Sequence, residues 1–277
     1  VTQGRSETHF TPRILPRPGF NVPQARAVKK GIGAFGRQVI TVDLSKLDIQ
    51  SGHRVLDIGC GPGRHVFETF RQHNVDAVGL DLVHENLRKA RFVLTLMEWE
   101  NASAGGSWNL VNADAVRIPF PGETFNAVIC SEVLEHIEDD ASAVREIVRV
   151  LKPGGAVVVS VPGFLTERLC WSLHSEYRAM ADGHMRIYRR VELVRLLTSF
   201  GLEFESFEQA HALHSPYWWL RCVAASRSSA GRLVSWYRKF LEWHIATHSS
   251  AVSAVEGLLN PLIGKSIVLY LKKRNCG

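Results

Sequence analysis

Short apolar runs alternate with segments of helical periodicity through the middle of the chain. Segments with apolar residues three and four positions apart predict helices at Arg64–Asn74, Glu85–Glu100 and Ala141–Leu151. Apolar runs bounded by glycine or polar residues predict five strands, at His53–Ile58, Val75–Leu80, Trp108–Asn112, Thr124–Cys130 and Ala156–Val161. Strands that alternate with helices favour a parallel sheet covered by helices on both faces.

The pattern changes after Pro162. A helix that ends in glycine is predicted at Val191–Gly201, and strands are predicted at Leu202–Phe207 and Ser266–Lys272. Residues 210–262 between these two strands are rich in Trp, His and Arg, and we interpret them as a helical insert. The expected fold is therefore α/β: a doubly wound, mostly parallel seven-stranded sheet with a helical insert between its last two strands.

Four parts follow from this pattern. Residues 1–35 are predicted to form an N-terminal arm, because residues 1–23 contain four prolines and several polar residues. Residues 36–209 are predicted to be the core and residues 210–262 a helical cap. Residues 263–277 return to the core as its last strand and C-terminus.

The segment Val55–Gly63 leaves the first predicted strand and enters a helix through three glycines spaced G-x-G-x-G. Glycines at such a turn let the backbone approach a ligand closely, next to a helix N-terminus. A dinucleotide site is the alternative, but it requires G-x-G-x-x-G, and Arg64 stands where the third glycine would be. Asp57 is placed to face an amino group, which favours a cationic amino-acid ligand over a diphosphate.

This segment resembles motif I of the class I (Rossmann-like) S-adenosylmethionine-dependent methyltransferases. Four further stretches, which begin at Gly79, Asn112, Ser131 and Leu151, resemble later motifs of that family in the same order. The resemblance covers roughly residues 50–207 and implies S-adenosyl-L-methionine as the cofactor. It implies the following cofactor-binding residues: Asp57, Gly59, Gly61, Gly63, Asp81, Leu82, Asp114, Ala115 and Ser131.

Two carboxylates have specific roles in this resemblance. Asp81 is expected to accept hydrogen bonds from both ribose hydroxyls, and Asp114 from the adenine amino group. The alternative for Asp81 is a helix cap, and the alternative for Asp114 is an ordinary turn residue.

Methyl transfer from a sulfonium needs an aligned nucleophile, and an oxygen or nitrogen acceptor can also need a general base. His184 and His136 are our candidates for that base, from their positions and the near-neutral pKa of histidine. A structural, hydrogen-bonded histidine is the alternative for each.

We expect transfer to an oxygen of a small molecule, glycan or lipid, because five of the seven tryptophans follow the fifth strand, among basic residues. The tail resembles a bacterial subgroup that modifies envelope glycans or lipids. The alternatives are an RNA methyltransferase, an NAD(P)-dependent oxidoreductase, and a non-catalytic binding protein that keeps the fold.

The net charge of +6 is unevenly distributed. Residues 215–277 carry nine basic and two acidic residues, whereas residues 38–214 carry 17 basic and 24 acidic. The acidic core and the absence of a run of five Lys/Arg argue against nucleic acid as a partner. The basic, tryptophan-containing C-terminal insert suggests peripheral membrane contact. We infer no obligate protein partner.

The cysteines indicate the cellular compartment and whether a metal site is expected. The five cysteines are an odd number without a Cys-x-x-Cys pair, so neither a disulfide framework nor a metal site is predicted. The N-terminus lacks the apolar stretch of a signal peptide. A cytoplasmic protein is therefore expected.

Overall fold

The computed structural model describes residues 39–100, 104–173, 184–225, 231–247 and 249–275. The predicted N-terminal arm, residues 1–35, lies outside these ranges. The described ranges contain seven strands: β1 (Arg54–Ile58), β2 (Asp76–Asp81), β3 (Ser107–Asn112), β4 (Phe125–Ser131), β5 (Leu151–Pro162), β6 (Leu202–Ala210) and β7 (Ser266–Lys273).

Helices connect and cover these strands. They are α1 (Arg64–Phe70), α2 (His84–Trp99), α3 (Asp140–Val150), α4 (Phe164–Leu173), α5 (Arg190–Ser199), α6 (His214–Ala225), α7 (Gly231–Thr247) and α8 (Ser250–Ile263). Two short 3₁₀ turns, Leu44–Leu47 and Leu134–His136, precede β1 and follow β4. Helices α6, α7 and α8 form the predicted insert between β6 and β7.

The seven strands form one sheet in the order β3-β2-β1-β4-β5-β7-β6. Strands β1 to β5 pair in parallel, whereas β7 runs antiparallel to both of its neighbours, β5 and β6. The predicted mostly parallel, seven-stranded, Rossmann-like α/β fold is therefore confirmed.

The sheet is apolar on both faces because helices and chain segments cover both. On one face Ile58 and Val128 pack in a cluster with Ile147 of α3. On the other face Ala127 and Val158 pack with neighbours from β1 and β7. Two-sided burial explains why the central strands appear in the sequence as continuous apolar runs.

Two predicted boundaries were wrong. The strand predicted at Ala156–Val161 already begins at Leu151: Phe125 pairs with Leu151 and Ala127 with Ala156, so β5 has extra residues there. Gly154 has a φ of +71° within this irregularity, which glycine adopts without strain. The helix predicted to reach Asn74 ends at Phe70, and the Asn74 amide instead bonds to the Ala104 carbonyl.

The carboxyl ends of the parallel strands meet at one edge of the sheet. The glycine loop follows β1 there, Asp81 ends β2, and Ser131 ends β4. This edge is where ligands bind in open α/β sheets. Helices long and apolar enough to cross a bilayer are absent from the described part of the chain.

Candidate active site

The glycine loop has three residues with positive φ: +62° at Gly59, +55° at Gly61 and +101° at Gly63. A Cβ at Gly59 would lie 2.4 Å from Cγ2 of Val133, and one at Gly63 would lie 2.6 Å from Cε1 of Phe67. A Cβ at Gly61 would meet no atom of the described residues within 4 Å. Two of the glycines therefore permit close packing within the protein, whereas Gly61 faces open space where a ligand can contact the backbone.

Asp57, at the end of β1, is almost fully buried, and its Oδ2 has no hydrogen-bond partner among the described residues. Its Oδ1 lies 3.9 Å from Nδ1 of His65. Burial raises the pKa of Asp57 to about 8, although the positive charge of Arg64 opposes that rise. Burial also lowers the pKa of His65 to about 3, so His65 is neutral and does not neutralise the carboxylate. An unsatisfied buried carboxylate oxygen is suited to an ammonium donor.

The Asp81 carboxylate links the loop after β1 to the segment after β2 by hydrogen bonds. Its Oδ2 accepts a hydrogen bond from the Gly61 amide at 2.7 Å, and its Oδ1 accepts from the Val83 amide at 2.7 Å and from Nδ2 of Asn86 at 3.3 Å. A carboxylate has about four lone-pair positions, so one remains. The sequence predicts that Asp81 contacts both ribose hydroxyls. To do so, the carboxylate must give up one of its three present hydrogen bonds, and the bond from Asn86 is the longest of the three.

The adenine end of the predicted site lies beside Asp81. Leu82 is exposed and follows β2, and Asp114 is exposed in the loop after β3, where its Oδ1 accepts from the Val116 amide. Ala115 is buried beside it. Nδ2 of Asn112 donates to the carbonyls of both Asp81 and Leu82 and fixes these loops together.

Ser131 is held within the protein. Its Oγ bonds to Oγ of Ser160 at 2.8 Å and accepts from Nη2 of Arg64 at 3.2 Å. Arg64, the first residue of α1, also donates to the Val39 carbonyl. The Ser131 side chain therefore positions the start of α1, and its predicted contact with the cofactor stays a prediction.

These residues fit S-adenosyl-L-methionine. Gly61 offers an open backbone, Asp57 offers an unpaired carboxylate oxygen for an amino group, and Asp81 offers an acceptor at the end of the neighbouring strand. Cys60 is buried within the loop, and burial raises the pKa of its thiol, so it is not a nucleophile.

The two predicted catalytic histidines lie against each other. The rings of His136 and His184 have centroids 4.8 Å apart and an edge-to-face arrangement. His136 ends the 3₁₀ turn after β4, and the Met185 amide next to His184 donates to the Glu135 carbonyl. The sequence singled out both residues, and the structure brings them together.

His184 has a partner that the sequence did not indicate. Its Nδ1 lies 2.7 Å from Oε1 of Glu167, a fully buried residue of α4, and Oε2 of Glu167 lies 3.5 Å from Nζ of Lys265. Burial alone would raise the pKa of Glu167, but the hydrogen bond from His184 and the charge of Lys265 bring it below its ordinary value. Glu167 therefore stays ionised and orients His184.

Glu135 is a second buried carboxylate at this edge. Neither of its oxygens has a hydrogen-bond partner in the described ranges, and burial together with the charge of Glu132 raises its pKa well above the usual range. Glu135, His136 and His184 can bring one ligand atom each to within 4.8 Å of one another, as metal ligands would. No motif identified these residues as a group, since Glu135 and His184 are far apart in the sequence.

Comparison with known proteins agrees with this geometry. The family described as "Methyltransferase domain" matches residues 34–206, more than half of the chain. A ubiquinone biosynthesis O-methyltransferase of Thiobacillus denitrificans is 37% identical over 162 residues, which are 56% of this chain and 66% of that protein. A cycloartenol-C-24-methyltransferase of Arabidopsis thaliana is 36% identical over 109 residues, which are 39% and 31% of the two chains.

The same fold is found in phosphoethanolamine N-methyltransferase 2 of Haemonchus contortus, solved in complex with S-adenosyl-L-methionine. The TM-score is 0.55 at 18% identity, and the match covers 84% of this chain and 51% of that one. The chain spans less than half the length of most of the curated relatives it matches. By its family match and its glycine loop, the chain belongs to the methyltransferase-domain family of class I, Rossmann-like methyltransferases, with S-adenosyl-L-methionine as cofactor.

Proposed function

We propose that this protein transfers a methyl group to an oxygen of a small molecule, glycan or lipid, with His184 as the general base. The observation that carries the proposal is the 2.7 Å hydrogen bond between Nδ1 of His184 and Oε1 of Glu167. A carboxylate on Nδ1 favours the tautomer that leaves Nε2 as an acceptor. Such an Nε2 can remove a proton from a hydroxyl, whereas a carbon acceptor without an acidic proton needs no comparable base.

When bound, the cofactor supplies a methyl group on a sulfonium, and loss of that methyl group leaves a neutral thioether. The protein must hold and orient the cofactor. Asp57 would accept a hydrogen bond from the amino group, the loop at Gly61 would lie against the ligand, and Asp81 would accept from the ribose. Leu82 and Asp114 lie where the adenine is expected. His184 and His136 lie at the same edge of the sheet, after β4.

The names of relatives support oxygen as the acceptor atom without deciding it. A ubiquinone biosynthesis O-methyltransferase and a sterol C-24-methyltransferase both match this chain at similar identity. The histidine held by Glu167 is the feature of this chain that favours the oxygen.

An open groove of about 660 Å³, lined by the starts of α4 and α5, suggests the chemistry of the acceptor. It is lined by Phe164, at the start of the helix that carries Glu167, and by three arginines, Arg189, Arg190 and Arg195. Arg189 lies 4.8 Å from the centre of the Phe164 ring. Arginines beside aromatic rings favour an acceptor with both an anionic and an apolar part.

The helical insert adds apolar surface of its own. Trp236 and Trp243 of α7 are exposed, as are Leu258 and Leu262 of α8. These side chains are consistent with a lipid or lipid-linked acceptor, and peripheral membrane contact through the insert stays a prediction.

The test is to incubate the purified protein with methyl-labelled S-adenosyl-L-methionine and cell extract fractionated into lipids, glycans, small metabolites and RNA. We expect label in one of the first three fractions and a methoxy carbon in the product. His184→Gln should reduce transfer without weakening cofactor binding. His73→Gln, which changes an exposed histidine away from the site, is the matched control.

Two results would contradict the proposal. Label in RNA, or on nitrogen or carbon, would refute the acceptor. Undiminished transfer by His184→Gln would refute the role of His184.

A further inference from the structure

Four side chains beside the sheet lie close to one another; we name them the insert cluster. His211 follows β6, His214 begins α6, His244 lies in the last turn of α7, and Glu256 lies within α8. Oε1 of Glu256 lies 4.0 Å from Nδ1 of His214, and its Oε2 lies 3.6 Å from Nε2 of His244. The rings of His211 and His214 have centroids 5.4 Å apart.

The spacing is close to that of a metal site. His211, His214 and Glu256 can bring one ligand atom each to within 4.8 Å of one another. Zinc bonds of about 2.0–2.2 Å to imidazole and carboxylate place tetrahedral ligand atoms roughly 3.3 Å apart. Side-chain shifts of about 1–1.5 Å would close the cluster around an ion at that spacing.

The cluster also has an unsatisfied ring nitrogen. Nδ1 of His214, which lies 4.0 Å from Oε1 of Glu256, is buried without a hydrogen-bond partner in the described part of the chain. A buried ring nitrogen without a partner is costly, and a metal bond is one way to satisfy its lone pair.

Helices α7 and α8 of the insert have little apolar packing to hold them. Helix α8 has no buried residue in its 14 positions, and in α7 the buried residues are Leu241 and His244. Helices that bury few side chains gain little stability from packing, and a structural metal is a common substitute. Ligands from the end of β6 and from three helices would join the insert to the sheet.

We propose that His211, His214, His244 and Glu256 bind a zinc ion that fastens the helical insert to the sheet. The sequence predicted no metal site, because its cysteines lack the spacing of metal ligands and its histidines here are far apart from Glu256 along the chain. This site does not depend on the proposed methyl acceptor.

The test is zinc binding by the full chain after treatment with a chelator and removal of free metal. We expect one zinc per chain by elemental analysis after dialysis against micromolar zinc. Zinc at about 100 times its dissociation constant should raise the melting temperature by about 5 °C or more. Glu256→Gln keeps the shape of the side chain and should weaken zinc binding at least tenfold.

Three further variants locate the ion. His244→Ala should also lose zinc, and His73→Gln, an exposed histidine outside the cluster, should keep it. His184→Gln, which alters the other group of potential ligands, should keep it as well.

The proposal is overturned if the wild-type chain binds no zinc or if Glu256→Gln binds it as the wild type does. It is also overturned if His184→Gln alone abolishes binding, because the ion would then lie beside Glu135 and His136.

Discussion

The Gly61 amide donates to Oδ2 of Asp81 across 2.7 Å, so the carboxylate at the end of β2 holds the loop that follows β1. The same carboxylate accepts from the Val83 amide at the start of α2. One side chain thus shapes the cofactor loop and is itself placed to contact the cofactor.

Asp81→Ala should weaken S-adenosyl-L-methionine binding by about 1–3 kcal/mol, through the loss of charge-assisted hydrogen bonds. Calorimetric titration measures the change. Asp139→Ala is the control, because the side-chain hydrogen bonds of Asp139 cap α3 through Ser142 and do not involve the cofactor loop. It should lower stability by about 1 kcal/mol and leave affinity unchanged. Equal cofactor affinity in Asp81→Ala and wild type would show that the ribose lies elsewhere.

Gly61→Ala should reduce cofactor affinity by more than its effect on folding explains. Alanine at a positive φ costs about 1–2 kcal/mol wherever it occurs. Gly201 has a φ of +89° and, like Gly61, open space where a Cβ would lie, but it is located before β6. Gly201→Ala should therefore lower the melting temperature to a similar extent while binding the cofactor normally. Similar cofactor affinities in the two variants would contradict a ligand at Gly61.

Asp57→Asn should stabilise the cofactor-free protein at pH 8 and weaken cofactor binding. The folded pKa of about 8 lies above the ordinary value of 3.8, so the folded state holds this proton more tightly than the unfolded chain. The resulting stability is complete below pH 3.8 and is lost as the pH rises towards 8. Asparagine cannot ionise, so the variant should lack this decline. The melting temperatures of variant and wild type should converge as the pH falls below 3.8 and diverge as it rises to 8.

Cofactor binding at pH 7 should release about one proton from the wild type, because a bound ammonium group favours ionised Asp57. Asp57→Asn should release fewer protons, and its affinity should be at least tenfold lower. Titrations in buffers of different ionisation enthalpy count the protons. No proton release by the wild type would mean that Asp57 does not face the amino group.

Glu167→Gln should lower kcat by about 10- to 1,000-fold with little change in the KM for the cofactor, because glutamine no longer fixes the tautomer of His184. The pH profile of kcat should shift as well, which a purely structural role would not cause. Glu208→Gln is the control. Like Glu167, Glu208 contacts both a lysine, Lys46, and a second polar side chain, Tyr270, but it lies away from the site. An unchanged kcat and pH profile in Glu167→Gln would refute the positioning role.

The sheet and the cofactor loop could be predicted from the sequence because their signals are local. Strands buried on both faces appear as uninterrupted apolar runs, and the glycine spacing after β1 follows from the close approach it must allow. Asp57 was predicted from its position two residues before the first glycine, whereas Asp81 was predicted from the resemblance to a later methyltransferase motif.

Glu167, Lys265 and the insert cluster could not be predicted in this way. Glu167 and His184 meet only because α4 and the segment before α5 return to the same edge of the sheet. Glu256 of α8 reaches His214 at the start of α6, although α7 lies between them in the sequence. Such pairs depend on tertiary packing, for which helical periodicity gives no residue-level signal.

The central position of β7 in its half of the sheet has a consequence for biosynthesis. Among the described strands, β6 pairs with β7 alone, yet it is translated before α6, α7 and α8 and long before Ser266–Lys273. Until that last stretch leaves the ribosome, the outer edge of β5 and the whole of β6 have unsatisfied backbone groups exposed to other chains. The nascent chain therefore passes through an aggregation-prone stage that ends only when β7 inserts between its two partners.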